Sequence, residues 1–322
     1  MYSLSKTSVP ADALHKIVRH HFSGRAARFI VELEDGLYNA AYRIELADGQ
    51  VAILKVAPSD HVRVLRYEKE IMRAEVEMMR LVRAETAVPV PEIYVYDTSR
   101  QLIDNDFYLM AGIPGVPFNK LRKTLSEPEQ AAIDRQAGDL TRQINALRGS
   151  AFGYVAQPER HAPTWRTAFE RMLEGVLADG VDAQVELPLS YDEIRARVAP
   201  WTTVLDAVTL PQLVHWDLWD GNIFVDPEAH RINGIVDFER ALWGDPLMEV
   251  QFEFCGPQSA YAEGYGTPMF STPEDTIRRC LYNVYLYAIM VIECTYRRYD
   301  HDGQERWARG KLAGEMARLE TF

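Results

Sequence analysis

Apolar and polar positions change period several times along the chain, and each change marks an element. Residues 10–22 carry Leu14, Ile17 and Val18 on one helical face. From Tyr42 the period drops to two: Tyr42, Ile44 and Leu46 alternate with Arg43 and Glu45, as in a half-buried strand. Asp48-Gly49 is a hairpin signal, and 51–56 is the return strand, with Lys55 on the face of Val51 and Ile53. Helical spacing then runs from 62 to 83. Segments 93–96 and 107–110 read as further strands, separated by an Asp104-Asn105-Asp106 turn. After Ala111-Gly112-Ile113-Pro114-Gly115, which breaks regular structure, the pattern turns helical over 126–147, 164–177, 191–198 and 201–208. Short β segments occupy 212–239, and helices close the chain over 272–299 and 304–319. Strands come early and helices late, which is an α+β pattern.

Composition narrows the class. The 322 residues are 47% hydrophobic and 25% charged, ordinary values for a globular protein with a core. The net charge of −12 disfavours nucleic acid and anionic membranes and leans toward a cationic partner. Cys255, Cys280 and Cys294 are odd in number and lack metal-ligand spacing, so they fit reduced thiols in a cytoplasm. His15, His20 and His21 share no i,i+4 face and fit a surface better than a metal site. The opening MYSLSKTSVPADAL has no apolar signal core. The longest apolar run, 284–292, falls short of the ~20 residues of a membrane span. A soluble cytoplasmic protein is expected, as a monomer or homodimer.

The chemistry concentrates in QLVHWDLWDGNIFVDPEAHRINGIVDFE, residues 212–239. One apolar run ends at His215, Trp216 and Asp217; a loop leads to Asn222; a third run delivers Asp237. Asp217, Asn222 and Asp237 all offer hard oxygens, the donors Mg²⁺ prefers when it also binds phosphate. Solvated acids in a turn region are the bland alternative, but the His, the spacing H-x-D-x-x-x-x-N and the strand-end Asp together outweigh it.

These residues resemble the kinase catalytic loop and its metal-binding Asp. HWDLWDGN with IVDFE is closer still to the aminoglycoside phosphotransferase family of the protein-kinase-like superfamily, and the similarity runs from about Phe29 to the C-terminal helices. The resemblance implies a bilobal fold: a nucleotide-binding lobe at 1–110 with a small antiparallel sheet and one helix, a hinge at 111–115, and a mainly helical catalytic and substrate lobe at 116–322. It implies ATP, with GTP as the alternative donor, and Mg²⁺ held by Asn222 and Asp237. Asp217 would be the base at the acceptor hydroxyl and His215 a brace of its loop. Lys55, beside Ile53, would grip the α/β-phosphates, and the backbone of Ala111 to Ile113 would hold adenine. Gly36 to Asn39 would cover the triphosphate.

Several of these positions have a second reading. The single-glycine loop 34–39 is equally a plain hairpin, and 111–115 equally a linker. Lys55 could snorkel. Its proposed partner Glu75 lies amid Ile71, Met72, Met78 and Met79, where an unpaired charge would be costly. Glu68 has apolar neighbours too, and the family's distance to Val88-Pro89-Val90-Pro91 favours Glu75. Asp245, before Pro246, reads as an N-cap; in the family it also braces the catalytic loop.

Two departures stand out. Trp216 replaces the family's usual Gly and could reshape the acceptor pocket. Phe238-Glu239 replaces Phe-Gly, and Gly244-Asp245-Pro246 follows too soon for a protein kinase's activation segment, so the acceptor should be small. Trp219 and Asp220 touch substrate or simply pack. A polycationic antibiotic would want carboxylates, for which Glu239, Glu249, Glu253, Glu263 and Asp275 are candidates, although Glu249 and Glu253 at i,i+4 equally suit a solvated face. Metabolite kinases acting on choline, homoserine or sugar amines share the loop. A silent nucleotide-binding pseudokinase is disfavoured, because Lys55, Asp217, Asn222 and Asp237 are all present. Antibiotic resistance would follow only by analogy from fold.

Overall fold

The computed structural model describes residues 6–34, 36, 38–267, 270–299 and 302–322, in two compact units. The first comprises Met1–Val64, Pro91–Ile113 and Arg297–Asp300. It holds helix α1 (Ala11–His21) and one antiparallel sheet built from β1 (Ala27–Leu33), β2 (Ala40–Leu46), β3 (Val51–Val56), β4 (Ile93–Asp97) and β5 (Phe107–Ala111). Strand order is β1-β2-β3-β5-β4. Leu14, Ile17 and Val18 of α1 pack with Tyr42, Ile44, Leu54 and Leu109, so the helix covers one sheet face. The register pairs Ala41 with Lys55, Arg43 with Ile53 and Lys55 with Tyr108, which sets Lys55 and Ile53 on the opposite face.

The second unit comprises Leu65–Val90, Pro114–Tyr296 and His301–Phe322. Its elements are α2 (Ile71–Glu85), β6 (Val116–Pro117), α3 (Phe118–Leu121), α4 (Glu127–Asn145), β7 (Gly153–Tyr154), α5 (Trp165–Asp182), α6 (Tyr191–Val198), β8 (Gln212–Val214), β9 (Ile223–Asp226), β10 (Arg231–Ile235), β11 (Leu242–Gly244), α7 (Gln251–Phe254), α8 (Ala260–Tyr265), α9 (Pro273–Arg297) and α10 (Gly303–Arg318). Two three-stranded sheets, β10-β9-β6 and β7-β11-β8, flank the loop that carries Asp217. Trp165, Phe169, Tyr282 and Tyr285 lead the core. Helices α4 and α8 meet backbone to backbone. A Cβ on Gly138 would lie 2.1 Å from the Tyr261 carbonyl oxygen, and one on Gly264 would lie 2.0 Å from that of Arg135. No helix among the described residues is long and apolar enough to cross a membrane.

Three elements depart from the sequence expectation. The helix read over 62–83 begins only at Ile71, after a 3₁₀ turn at Arg66–Glu68 and a left-handed Glu70. The Glu68 carboxylate accepts the Leu65 N–H at 2.9 Å, and this local cap competes with helix. The segment 201–208 is 3₁₀ (Ala199–Ala207) rather than α. Glu249 and Glu253 share neither a helix nor a solvated face: α7 starts after Glu249, which is fully buried.

Candidate functional site

Strand β8 carries the chain inward to His215, whose ring is completely buried. Its Nδ1 accepts the Asp217 N–H at 3.2 Å, and its Nε2 lies 3.0 Å from the Val236 carbonyl. With one nitrogen accepting and the other facing a carbonyl, the imidazole is the neutral tautomer protonated on Nε2. Its ring lies 4.2 Å from that of Phe238. Past the turn at Trp219, Asn222 Nδ2 donates to the Asp217 carbonyl at 2.8 Å and to Asp217 Oδ2 at 3.3 Å. The Val236 N–H donates to the Asn222 carbonyl at 3.1 Å. His215, Asp217 and Asn222 thus form one hydrogen-bonded group at the ends of β8 and β9. With its amide nitrogen committed to Asp217, Asn222 has its amide oxygen to offer a cation.

The loop is braced from behind by Glu249, which sequence reading placed only as an acceptor candidate or a solvated residue. Its carboxylate accepts the N–H of His215 at 2.9 Å, that of Trp216 at 3.1 Å and the Asn145 amide at 2.9 Å. Burial pushes this carboxyl above its ordinary range; the Asn145 amide, the two N–H donors and the nearby Arg279 pull the other way. Asp245 is bonded elsewhere. It caps the 3₁₀ turn Pro246–Met248 through the Leu247 N–H at 3.1 Å and accepts the Tyr282 hydroxyl at 2.7 Å. Burial raises its pKa against the pull of Arg278.

Trp216 points into the core. Its backbone is left-handed, with φ at +60°, and its side chain is buried in the core. That conformation suits the family's glycine, which pays no Cβ penalty there. Trp219, by contrast, is 45% exposed and lies over Gly221. The neighbouring Asp220 is held by Arg122, which also grips Asp134 and lies 4.1 Å from the Phe118 ring centroid.

Asp237 also adopts the left-handed conformation, with φ at +74° and ψ at +51°. Asp tolerates that region better than most residues. Ligand atoms of Asp237, Glu75 and Glu239 lie within 4.8 Å of one another. Glu75 is fully buried in the second turn of α2 and Glu239 is buried in the turn after β10. Three carboxylates this close repel unless a cation or protons intervene, so the donor set fits a hard divalent ion. Of the three, the sequence marks only Asp237 as a metal ligand, with Glu75 as the partner of Lys55 and Glu239 as an acceptor carboxylate; for Glu239 the i,i+2 spacing from Asp237 is the available signal. Glu68 stays with Leu65 and lies outside this cluster.

In the first unit, Lys55 is half-buried, its Nζ 6.0 Å from the Tyr108 ring centroid. Asn39 is buried. Asp35 and Leu37 lie outside the described residues; among the described residues, a Cβ on Gly36 would meet only the Asn39 carbonyl oxygen, at an ordinary 3.5 Å. The Ala111 N–H donates to the Glu92 carbonyl and the Gly112 N–H to that of Val51, both at 2.9 Å. Of the N–H groups expected to face adenine, these two are committed within the sheet, which leaves that of Ile113.

A sequence model of the phosphotransferase enzyme family matches residues 30–252. The chain is 23% identical over 258 residues to acyl-CoA dehydrogenase family member 10 of Mus musculus, a match covering 76% of this chain and only 22% of that protein's length. It is 24% identical over 218 residues to a probable ketoamine kinase of Vibrio parahaemolyticus, covering 66% of this chain and 70% of the relative. In fold it matches a crystal structure of an aminoglycoside phosphotransferase in complex with AMP-PNP and hygromycin B. The TM-score is 0.65 at 17% identity, covering 95% of this chain and 98% of the other.

Proposed function

The chain belongs to the phosphotransferase enzyme family, and on that premise we propose that it transfers the γ-phosphoryl group of ATP, with Mg²⁺, to a hydroxyl of a small molecule. The observation that carries this reading is the hydrogen-bonded group of His215, Asp217 and Asn222, set one strand away from the Glu75–Asp237–Glu239 cluster. Functionally, 1–110 serves as the nucleotide lobe, 111–115 as the hinge and 116–322 as the catalytic lobe.

Phosphoryl transfer asks for charge neutralisation, alignment and a base at the acceptor. Asp217 accepts or orients the acceptor hydroxyl's proton. His215 does not move protons, because both its nitrogens are engaged with the backbone. Lys55 grips the α/β-phosphates, with Glu75 as the carboxylate assigned to it; Ile53 and the backbone of Ala111 and Ile113 seat the base; Gly36 and Asn39 border the phosphates. Asn222 and Asp237 hold Mg²⁺, with Glu239 beside them. The metal supplies charge neutralisation on the phosphate oxygens.

The acceptor is better read as a metabolite carrying little positive charge than as a polycationic antibiotic. All five candidate carboxylates have other work in the fold. Glu249 braces the loop, and Glu239 sits with Asp237. Glu253 accepts from Asn283 and from the Tyr287 hydroxyl. Glu263 pairs with Arg135 at 2.7 Å, and Asp275 accepts the N–H groups of Ser271 and Thr272. No acidic wall remains among these five, and a ketoamine-type acceptor, as the Vibrio relative's name suggests, fits this distribution.

The test is ADP release with Mg-ATP across ketoamines, sugars, choline, homoserine and aminoglycosides, with Asp217→Ala in parallel. Acceptor-dependent turnover should appear with the weakly charged acceptors and fall roughly 10²–10⁴-fold in the variant. Turnover confined to aminoglycosides would overturn the acceptor reading. Native protein that binds Mg-ATP without any acceptor effect would favour the pseudokinase.

A further inference from the structure

We infer that Trp216 is a positioning residue: it anchors the backbone of Asp217 through an aromatic cage, a device that replaces the glycine usual at this place in the loop. The inference rests on the kinase reading only for its consequence in turnover.

The Trp216 ring stacks on Tyr285 of α9, with centroids 5.3 Å apart and planes inclined by 18°. Tyr154 of β7 meets it edge-on at 5.9 Å, and Tyr67, from the segment leading into α2, does so at 6.5 Å. Tyr154 and Tyr285 are locked together by a 2.8 Å hydrogen bond between their hydroxyls. The guanidinium of Arg240 lies 6.0 Å from the indole and is itself held by Glu293 at 3.1 Å. Three tyrosines from distant parts of the sequence and Arg240 therefore surround one side chain, and that side chain immediately precedes Asp217.

A left-handed backbone at a bulky residue is strained and persists only where its surroundings over-determine it. At Trp216 they do so from both ends. The ring is fixed by the cage, and the N–H is fixed by Glu249 at 3.1 Å. With φ pinned by these two anchors, the Trp216 carbonyl carbon is placed, and the hydrogen bond from the Asp217 N–H to His215 Nδ1 then orients the peptide that follows. Glycine accepts the same φ without strain, yet it leaves the loop free to sample others. In this chain the geometry of Asp217 is thus set by packing where glycine would leave it to the backbone alone. Tyr67 extends the effect, because the cage also fixes the entry to the helix that carries Glu75.

The experiment compares Trp216→Gly, Trp216→Phe and the native protein by two readouts. One is amide hydrogen exchange resolved at residues 215–217. The other is kcat and the KM for Mg-ATP with whichever acceptor of that panel is turned over, well below the melting temperature. The glycine variant should exchange at least tenfold faster at 215–217, with β9 and β10 unchanged. Its kcat should fall about tenfold or more, with KM for Mg-ATP within about twofold. The phenylalanine variant, which keeps the stack, should remain within about threefold of native on both readouts. If Trp216→Gly fails to fold, Tyr285→Leu removes the same stack from the other side and should loosen the same amides. Unchanged exchange and kcat in Trp216→Gly would overturn the inference. So would a phenylalanine variant as impaired as the glycine one with melting temperatures falling in parallel, since that is packing alone. Should the native protein show no acceptor turnover, the kinase reading falls and the exchange data decide the role of Trp216 by themselves.

Discussion

Replacing Glu249 by Gln separates the stability of the loop from its geometry. The carboxylate accepts two hydrogen bonds on Oε1, from His215 N–H and the Asn145 amide, and one on Oε2, from Trp216 N–H. An amide keeps the first oxygen and turns the second into an NH₂ that meets the Trp216 N–H donor to donor. Losing that bond and leaving a buried donor unsatisfied costs about 1–3 kcal/mol, and weakening two charge-assisted bonds to neutral ones adds roughly 1 kcal/mol each. Against this, Gln removes a buried charge whose desolvation costs several kcal/mol, and burial is the effect that dominates at Glu249. The opposing terms nearly cancel, so stability should change by no more than about 2 kcal/mol, a few degrees in melting temperature. The geometry does not cancel: Trp216 N–H must move away from the NH₂, and Asp217 moves with it. Misplacement of about 1 Å at a catalytic group costs on the order of 10²-fold. Differential scanning fluorimetry and saturating-substrate kinetics should therefore diverge, with kcat down about 10–100-fold and the melting temperature nearly native. A Glu249→Gln variant with kcat within twofold of native would refute the idea that this brace positions Asp217.

Four further outcomes follow from the same contacts. Glu239→Gln should raise the Mg²⁺ concentration for half-maximal turnover by about tenfold or more, seen in a metal titration at fixed ATP, because it removes one of three clustered carboxylates. Glu75→Gln should weaken Mg-ATP use, whereas Glu68→Gln should lower stability alone, since Glu68 bonds to Leu65; equal kinetic defects would count against this assignment. Gly138→Ala should destabilise by about 1–3 kcal/mol in urea melts, its new methyl striking the Tyr261 carbonyl of α8. For pH, Glu249 and Asp245 are both raised by burial, so the folded state binds their protons more readily than the unfolded one. Their effect on stability must then grow less favourable as pH climbs from the ordinary carboxylate range through the raised values. Native protein should lose stability relative to Glu249→Gln along that window, and a gain would contradict the assignment.

Much of the fold was legible because its signals are local. The strand 51–56 and the helix at 191–198 match their elements residue for residue, the strand because the Asp48-Gly49 turn fixes where it returns. Strands of two or three residues, such as β6, β7 and β11, carry too few positions to show a period. The late start of α2 escaped for a different reason. Val64 and Leu65 continue the apolar spacing, but Glu68 spends its carboxylate on the Leu65 N–H and stops the helix from extending back.

The site divides along the same line. His215, Asp217, Asn222 and Asp237 could be picked out because their spacing within one stretch is itself the signal. Glu249 could not, since a buried brace and a solvated acid look alike until the donors that surround it are known, and these come from positions 145, 215 and 216. Trp216 is the sharper case. Read along the chain it was an obstruction next to Asp217, a large ring where glycine is usual. Its partners at 67, 154 and 285 hold that ring in the core. A substitution against local rules is tolerable when distant contacts compensate it, and sequence alone exposes the violation without the compensation.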